Sequence, residues 1–176
     1  QAGSGGVGTV AIQLARHLGA TVATTASAAN AELVRSLGAD VVIDYRTQDF
    51  EQVLSGYDLV LHSQDATALA KSLKVLKPGG RLISISGPPD VAFARALKLN
   101  LFLRFVMRLL SRGVRNKAKA RGVGYSFLFM RADGRQLADI ARLIDAGAIR
   151  PVGDRVFPFA QTPDALAHVE TGRAKG

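Results

Sequence analysis

The stretch Gly3-Ser4-Gly5-Gly6-Val7-Gly8, near the start of this 176-residue chain, has residue types and spacing suited to holding an anion. In the pattern Gly3-x-Gly5-x-x-Gly8 each glycine has a physical task. Gly3 permits a tight turn, Gly5 removes the Cβ that would block a pyrophosphate, and Gly8 lets a helix pack closely on a strand. The N–H groups opening that helix would face the anion, with the positive end of the helix dipole behind them. The chemistry implied is dinucleotide binding. A glycine-rich stretch ahead of an ordinary helix would read the same in isolation. Here a helix of correct phase follows and a strand begins at βαβ spacing, which favours the nucleotide site.

The elements that must position this turn alternate along the chain. Val7, Val10, Ala11, Leu14, Ala15 and Leu18 recur at helical spacing and Gly19 supplies a stop. TVATTA (Thr21 to Ala26) predicts a strand, and Ser27 can cap a helix running from Ala28 to Leu37. Strands follow at Val41 to Asp44, Asp58 to His62 and Arg81 to Ser86. Between them come a weak amphipathic stretch (Asp49 to Leu54) and a helix (Ala66 to Leu76) closed by Lys77-Pro78-Gly79-Gly80. A long helix from Val91 to about Arg112, a strand Tyr125 to Met130, a helix Gly134 to Ala146, an extended RPVGDRVFPF and a helix Pro163 to Glu170 complete the reading. Short apolar runs alternating with amphipathic helices predict an α/β fold: a doubly wound, mostly parallel sheet with helices on both faces.

Only Gln1 and Ala2 precede the glycine turn, and nothing follows Lys175-Gly176. The expectation is a dinucleotide-binding domain over residues 1–176, truncated at its first and last strands and part of a longer polypeptide. Its sheet is expected to show a gap, or pairing supplied by another segment.

The end of the second strand bears on the choice of dinucleotide. A site for NAD places Asp or Glu there, to bind the ribose diol and repel a 2′-phosphate. This chain has Thr24-Thr25-Ala26-Ser27 instead, and Arg46 just beyond the next strand. Hydroxyl side chains at a helix start, a nearby cation and no acid favour NADP.

Composition narrows the class. The chain is 48% hydrophobic and 21% charged, as globular proteins are, and with no cysteine it can form no disulfide and offers no thiol nucleophile. His17, His62 and His168 have no metal-ligand spacing, so no metal site is expected, and a soluble cytoplasmic protein is the default. The net charge of +9 is localised. No acid lies between Asp90 and Asp133, while Arg95, Lys98, Arg104, Arg108, Arg112, Arg115, Lys117, Lys119 and Arg121 leave basic and acidic residues balanced elsewhere. Within this stretch Arg104, Arg108, Arg112 and Arg115 form one stripe opposite Phe102, Phe105, Val106, Leu109 and Leu110. Such a helix suits an anionic membrane surface, or an element covering the substrate side or a second subunit. Interleaved aromatics and a recognised module are missing, which argues against nucleic acid.

The strings AGSGGVGTVAIQLARHLGA, LGADVVIDYR, KPGGRLISISG and DAGAIRPVGDRVFPF with ETGRAKG, in that order, resemble the quinone-oxidoreductase-like branch of the medium-chain dehydrogenase/reductase superfamily. The resemblance implies a Rossmann cofactor domain binding NADPH, with the catalytic domain N-terminal to it, and makes residues 91–121 a helical insertion over the substrate side or a second subunit. It puts the diphosphate on Ser4, Gly5, Gly6 and Val7, the 2′-phosphate near Ser27 and Tyr45, and the nicotinamide near Gly87 and Phe127-Leu128-Phe129. It further implies hydride transfer to a quinone or enone, a homodimer, and no catalytic side chain in this chain. Asn30 stands where some relatives have Lys, and His62-Ser63-Gln64-Asp65 departs from a Gly-containing loop. Tyr125 is expected to pack with a solvated hydroxyl. Two alternatives stay open: a zinc-dependent alcohol dehydrogenase of the same superfamily, and a Rossmann nucleotide-binding or interaction protein without turnover.

Overall fold

Five short strands rich in β-branched and apolar residues pair only in parallel, each pair joined through helices, as crossover connections require. The computed structural model describes residues 1–172 with Ala174 and Lys175; Arg173 and Gly176 of the ETGRAKG string lie outside the described residues. The chain divides into two compact units, one of Ala2–Arg46 with Asp133–Gly176 and the other of Gln1 with Thr47–Ala132. The described strands form two sheets, β1-β2 and β3-β4-β5.

In the unit holding residues 2–46, α1 (Gly6–His17) leads to β1 (Ala23–Ala26), and α2 (Ala31–Ser36) leads to β2 (Val41–Asp44). The strands pair in register, Ala23 with Val41 through Ala26 with Asp44. Gly19 and Gly38 end the two helices at positive φ, where a side chain would be strained. Ile12, Ala26, Val34, Leu37 and Ala39 form the core, with Val22, Leu33, Val42 and Val152 against it. Buried Gln13 fastens the later segment: its amide donates to the Arg150 carbonyl at 2.9 Å and accepts the Arg150 N–H at 2.7 Å. The helices α8 (Gly134–Asp145) and α9 (Thr162–Glu170) belong to this unit and match their expected ranges.

In the other unit α3 (Phe50–Val53) precedes β3 (Tyr57–His62), and α4 (Ala66–Val75) crosses to β4 (Leu76–Ser84). After α5 (Val91–Ala96), α6 (Leu101–Leu110) and α7 (Arg112–Ala120), β5 (Gly124–Phe127) joins the far side of β4. Leu69 and Leu73 of α4, Leu76 and Leu82 of β4, Val114 and Ala118 of α7, and Val123 form its core.

Three boundaries differ from the sequence reading. β4 starts at Leu76, which pairs with Tyr57. The register then jumps so that Arg81 pairs with Leu59, and Lys77-Pro78-Gly79-Gly80 bulges within the strand instead of preceding it. β5 stops at Phe127, so Leu128 to Met130 lie beyond it, although the Leu128 N–H still donates to the Ser84 carbonyl at 2.9 Å. The stretch read as one long helix over Val91 to about Arg112 holds two, since Lys98 takes positive φ after α5 and Asn100 caps α6, and a third, α7, follows Ser111. The stripe is corrected with it. Arg104 is half-buried while Phe102, Phe105, Leu109 and Leu110 are exposed, and no residue of α6 is buried. No helix among the described residues is long and apolar enough to cross a membrane.

Candidate functional site

Residues singled out from the sequence fall in both units; Ser27, Tyr45, Arg46, Gly87 and Phe129 follow the carboxyl ends of parallel strands, where open α/β sheets bind ligands. In the unit of residues 2–46 the glycine turn leans on β1. The Gly3 N–H donates to the Thr25 carbonyl at 2.9 Å and the Ala2 N–H to Thr25 Oγ1 at 3.2 Å. A β-carbon on Gly3 would overlap the Thr24 side chain. One on Gly8 would overlap the Ala2 carbonyl and stand 2.8 Å from Gly3 Cα. Two of the three glycines are therefore demanded by the fold itself.

Gly5 differs. A β-carbon there would meet only the Ala2 carbonyl, at 3.6 Å, and its φ of −83° and ψ of 167° suit any residue. Nothing in the described structure requires glycine at this position. Gly5 is the N-cap of α1 and its carbonyl accepts the Thr9 N–H at 2.9 Å, so Gly6, Val7 and Gly8 have N–H groups without intrahelical acceptors. Gly6 and Val7 are exposed. Ser4 receives a hydrogen bond from Asn30 Nδ2 at 3.1 Å, which leaves its own hydroxyl proton for another acceptor. Asn30 thus ties the glycine turn to the segment after β1.

Ser27 follows Ala26, and Tyr45 and Arg46 follow Asp44, at strand ends that are paired in register. Ser27 begins a short 3-10 turn (Ala28–Asn30) and makes no capping bond with its side chain. Arg46 is exposed with its guanidinium 5.9 Å from the centre of the Tyr45 ring, and its N–H donates to Asp44 Oδ1 at 3.0 Å. These groups fit a phosphorylated ribose: a hydroxyl, an aromatic face and a cation at the ends of two paired strands, with no carboxylate at the end of β1 and Asp44 at the end of β2 taken up by the Arg46 N–H.

In the unit of residues 47–132 the strand ends are locked by side chains. A β-carbon on Gly87 would stand 2.6 Å from Ser84 Oγ, 2.8 Å from Tyr125 Oη and 2.9 Å from Leu69 Cδ1. Instead the Gly87 N–H donates to Ser84 Oγ at 2.7 Å. Ser84 Oγ lies 2.9 Å from Nδ1 of the wholly buried His62, whose Nε2 is 3.0 Å from the Asp65 carbonyl. That carbonyl can only accept, so Nε2 carries the proton and Nδ1 accepts from Ser84. Burial holds the His62 pKa below its usual value, keeping the ring neutral.

Tyr125 is not solvated as expected. Its hydroxyl donates to the Pro88 carbonyl at 2.6 Å, and burial with the nearby Asp90 carboxylate pushes its pKa up to about 12. Asp90 caps α5 through the Phe93 N–H at 2.8 Å and takes the Phe127 N–H at 3.3 Å, fixing β5 to α5. Phe127 packs edge-on to Phe93, ring centres 5.1 Å apart, and the ring centre of Phe129, a residue 61% exposed, lies 6.4 Å from that of Phe127. Gly87, Phe127 and Phe129 thus share one loop cluster, although Phe129 lies outside β5. The sequence reading assigned His62 and Ser84 no role; its one signal was the departure of His62 to Asp65 from a glycine-containing loop.

Residues 37–176 match the family model described as zinc-binding dehydrogenase. The chain belongs to this family. Among curated members of similar sequence, a mitochondrial NAD(P)H oxidoreductase of Mus musculus is 39% identical over 98% of the chain and 44% of its own length. An NADPH-dependent alkenal/one oxidoreductase of Arabidopsis thaliana chloroplasts is 35% identical over 99% of the chain and 37% of its own length. A quinone oxidoreductase of Coxiella burnetii superposes with a TM-score of 0.79 at 27% identity, covering 99% of the chain and 49% of that structure. The chain therefore spans less than half the length of these dehydrogenase relatives, and its α/β architecture is that of their Rossmann-like half, as the resemblance implied. The zinc in the family's name finds no ligand set here: among the described residues no three His, Cys, Asp or Glu side chains are grouped to hold a metal ion.

Proposed function

We propose that this chain is the cofactor-binding domain of an NADPH-dependent oxidoreductase that reduces quinones or α,β-unsaturated carbonyls. The observation that carries the proposal is the glycine turn, where Gly3 and Gly8 answer to internal packing and Gly5 answers only to a ligand. In this reading Ser4, Gly5, Gly6 and Val7 hold the diphosphate through backbone N–H groups and the Ser4 hydroxyl at the positive end of α1. Ser27, Tyr45 and Arg46 receive the 2′-phosphate, and Gly87, Phe127 and Phe129 border the nicotinamide. NADPH, when bound, supplies the hydride.

The chain's own residues then bind, orient and exclude water. Gly87 brings backbone close to a ring, and the Phe93, Phe127 and Phe129 cluster supplies an apolar wall. No side chain here need move a proton, because Tyr125 stays neutral and already donates to Pro88. The names of the relatives support a nicotinamide cofactor and small electrophilic substrates. Assay of the intact protein with NADPH and NADH across quinones, alkenals and simple alcohols tests the reading. NADPH oxidation with quinones or enones is expected, while turnover of alcohols alone, or cofactor binding without turnover, sinks it.

A further inference from the structure

His62 is the one wholly buried imidazole among the described residues, and its two ring nitrogens face two different loops. Nε2 donates to the Asp65 carbonyl in the loop between β3 and α4. Nδ1 accepts from Ser84, whose oxygen in turn accepts the Gly87 N–H in the loop between β4 and α5. Ser86 reinforces the tie by donating to the Gln64 carbonyl at 2.6 Å, and Asp65 anchors the first loop to α4 by accepting the Ala68 N–H at 2.8 Å. His62 and Ser84 are also register partners of β3 and β4, so the latch sits where both strands end.

We propose that His62 is a positioning residue for the cofactor: a neutral latch that holds the Gly87 backbone where the nicotinamide lies. This rests on the cofactor reading above. The chemistry of the latch is directional. It needs one ring nitrogen to accept and the other to donate, which only the neutral imidazole provides. Protonation makes both nitrogens donors. Ser84 Oγ would then face two donors, Nδ1–H and the Gly87 N–H, and its own proton would have to turn away.

The charged and titratable groups around the ring are few. Asp65 raises the His62 pKa through its carbonyl and its charge. Tyr125 of β5 is neutral and Asp90 at the α5 cap acts on Tyr125. Burial outweighs these and favours the neutral ring, so the latch is closed at neutral pH and opens as pH falls below the ordinary histidine value.

The test compares wild type, His62→Gln, His62→Leu and Ser84→Ala in the intact protein. Glutamine keeps one acceptor and one donor without titrating; leucine keeps bulk and loses both. Hydrogen exchange at the Gly87 amide, followed from pH 5 to 8 without cofactor, reads the latch directly. High protection of Gly87, taken relative to the intrinsic exchange rate at each pH, is expected in wild type at pH 7.5 and in His62→Gln throughout, with protection at least tenfold lower in His62→Leu, in Ser84→Ala and in wild type at pH 5. NADPH titration reads the consequence: weaker binding by at least tenfold in His62→Leu, and a pH-dependent Kd in wild type that His62→Gln flattens. Equal Gly87 exchange in wild type, His62→Leu and Ser84→Ala, or the same pH profile in wild type and His62→Gln, overturns the latch. The latch seen in exchange with no dinucleotide bound by any variant would instead overturn the cofactor reading and leave His62 a structural tie.

Discussion

In the unit of residues 2–46 a turn made of backbone leans on the end of β1, with N–H groups of Gly6, Val7 and Gly8 left over. In the unit of residues 47–132 the strand ends run into loops whose donors and acceptors are used by His62, Ser84, Ser86 and Asp90. The first arrangement leaves donors open; the second uses its donors and acceptors to hold its own shape. The glycines mark the same division: Gly5 leaves space, whereas Gly87 allows loops and side chains to close on each other.

The largest expected effect comes from removing a glycine that the fold needs. Gly8→Ala sets a β-carbon into backbone on both sides, and a loss of about 3 kcal/mol of stability is expected in a denaturant titration. Gly87→Ala strikes the side-chain latch instead. Ser84, Tyr125 and Leu69 can shift somewhat, so a loss of about 2 kcal/mol is expected, with faster Gly87 exchange. Stability of Gly87→Ala within about 0.5 kcal/mol of wild type would break the contrast between the two loops.

The fold class was legible because hydrophobic period and glycine stops are local signals. Helix α1 and strand β2 appear where Val10, Leu14 and Val41 to Asp44 put them. What the sequence hid depends on tertiary contact. Lys98 breaks the basic helix at positive φ although neither glycine nor proline marks it, and Leu76 enters β4 because Tyr57 pairs with it across a bulge. The packing of Gly3 and Gly8 in their turn was readable from the glycine spacing alone. The Asn30 to Ser4 bond and the His62 latch were not, since a histidine 22 residues from its serine partner has no local pattern.

Two smaller effects sharpen the comparison. Tyr125→Phe removes the bond to Pro88 and is expected to cost about 1 kcal/mol. Because the folded pKa of Tyr125 is raised to about 12 above an unfolded value of about 10, its contribution is present below pH 10 and lost as pH rises through 12. Wild type should therefore lose stability in that window by an increment that Tyr125→Phe lacks, read from melting temperatures at pH 9 to 12. Arg46→Gln is expected to weaken NADPH binding a few-fold, the order of one exposed charge contact of about 1 kcal/mol, and to leave NADH unchanged. Equal losses for both cofactors would remove Arg46 from the 2′-phosphate site.

The central claim is that the turn at residues 3–8 holds a dinucleotide diphosphate. Its most direct test is calorimetric titration of the intact protein and of Gly5→Ala with NADPH, alongside their melting temperatures. Unchanged melting temperature with affinity reduced at least tenfold, about 1.4 kcal/mol, is the expected result. Equal affinity in the two proteins, or no binding of NADPH to wild type, contradicts the account.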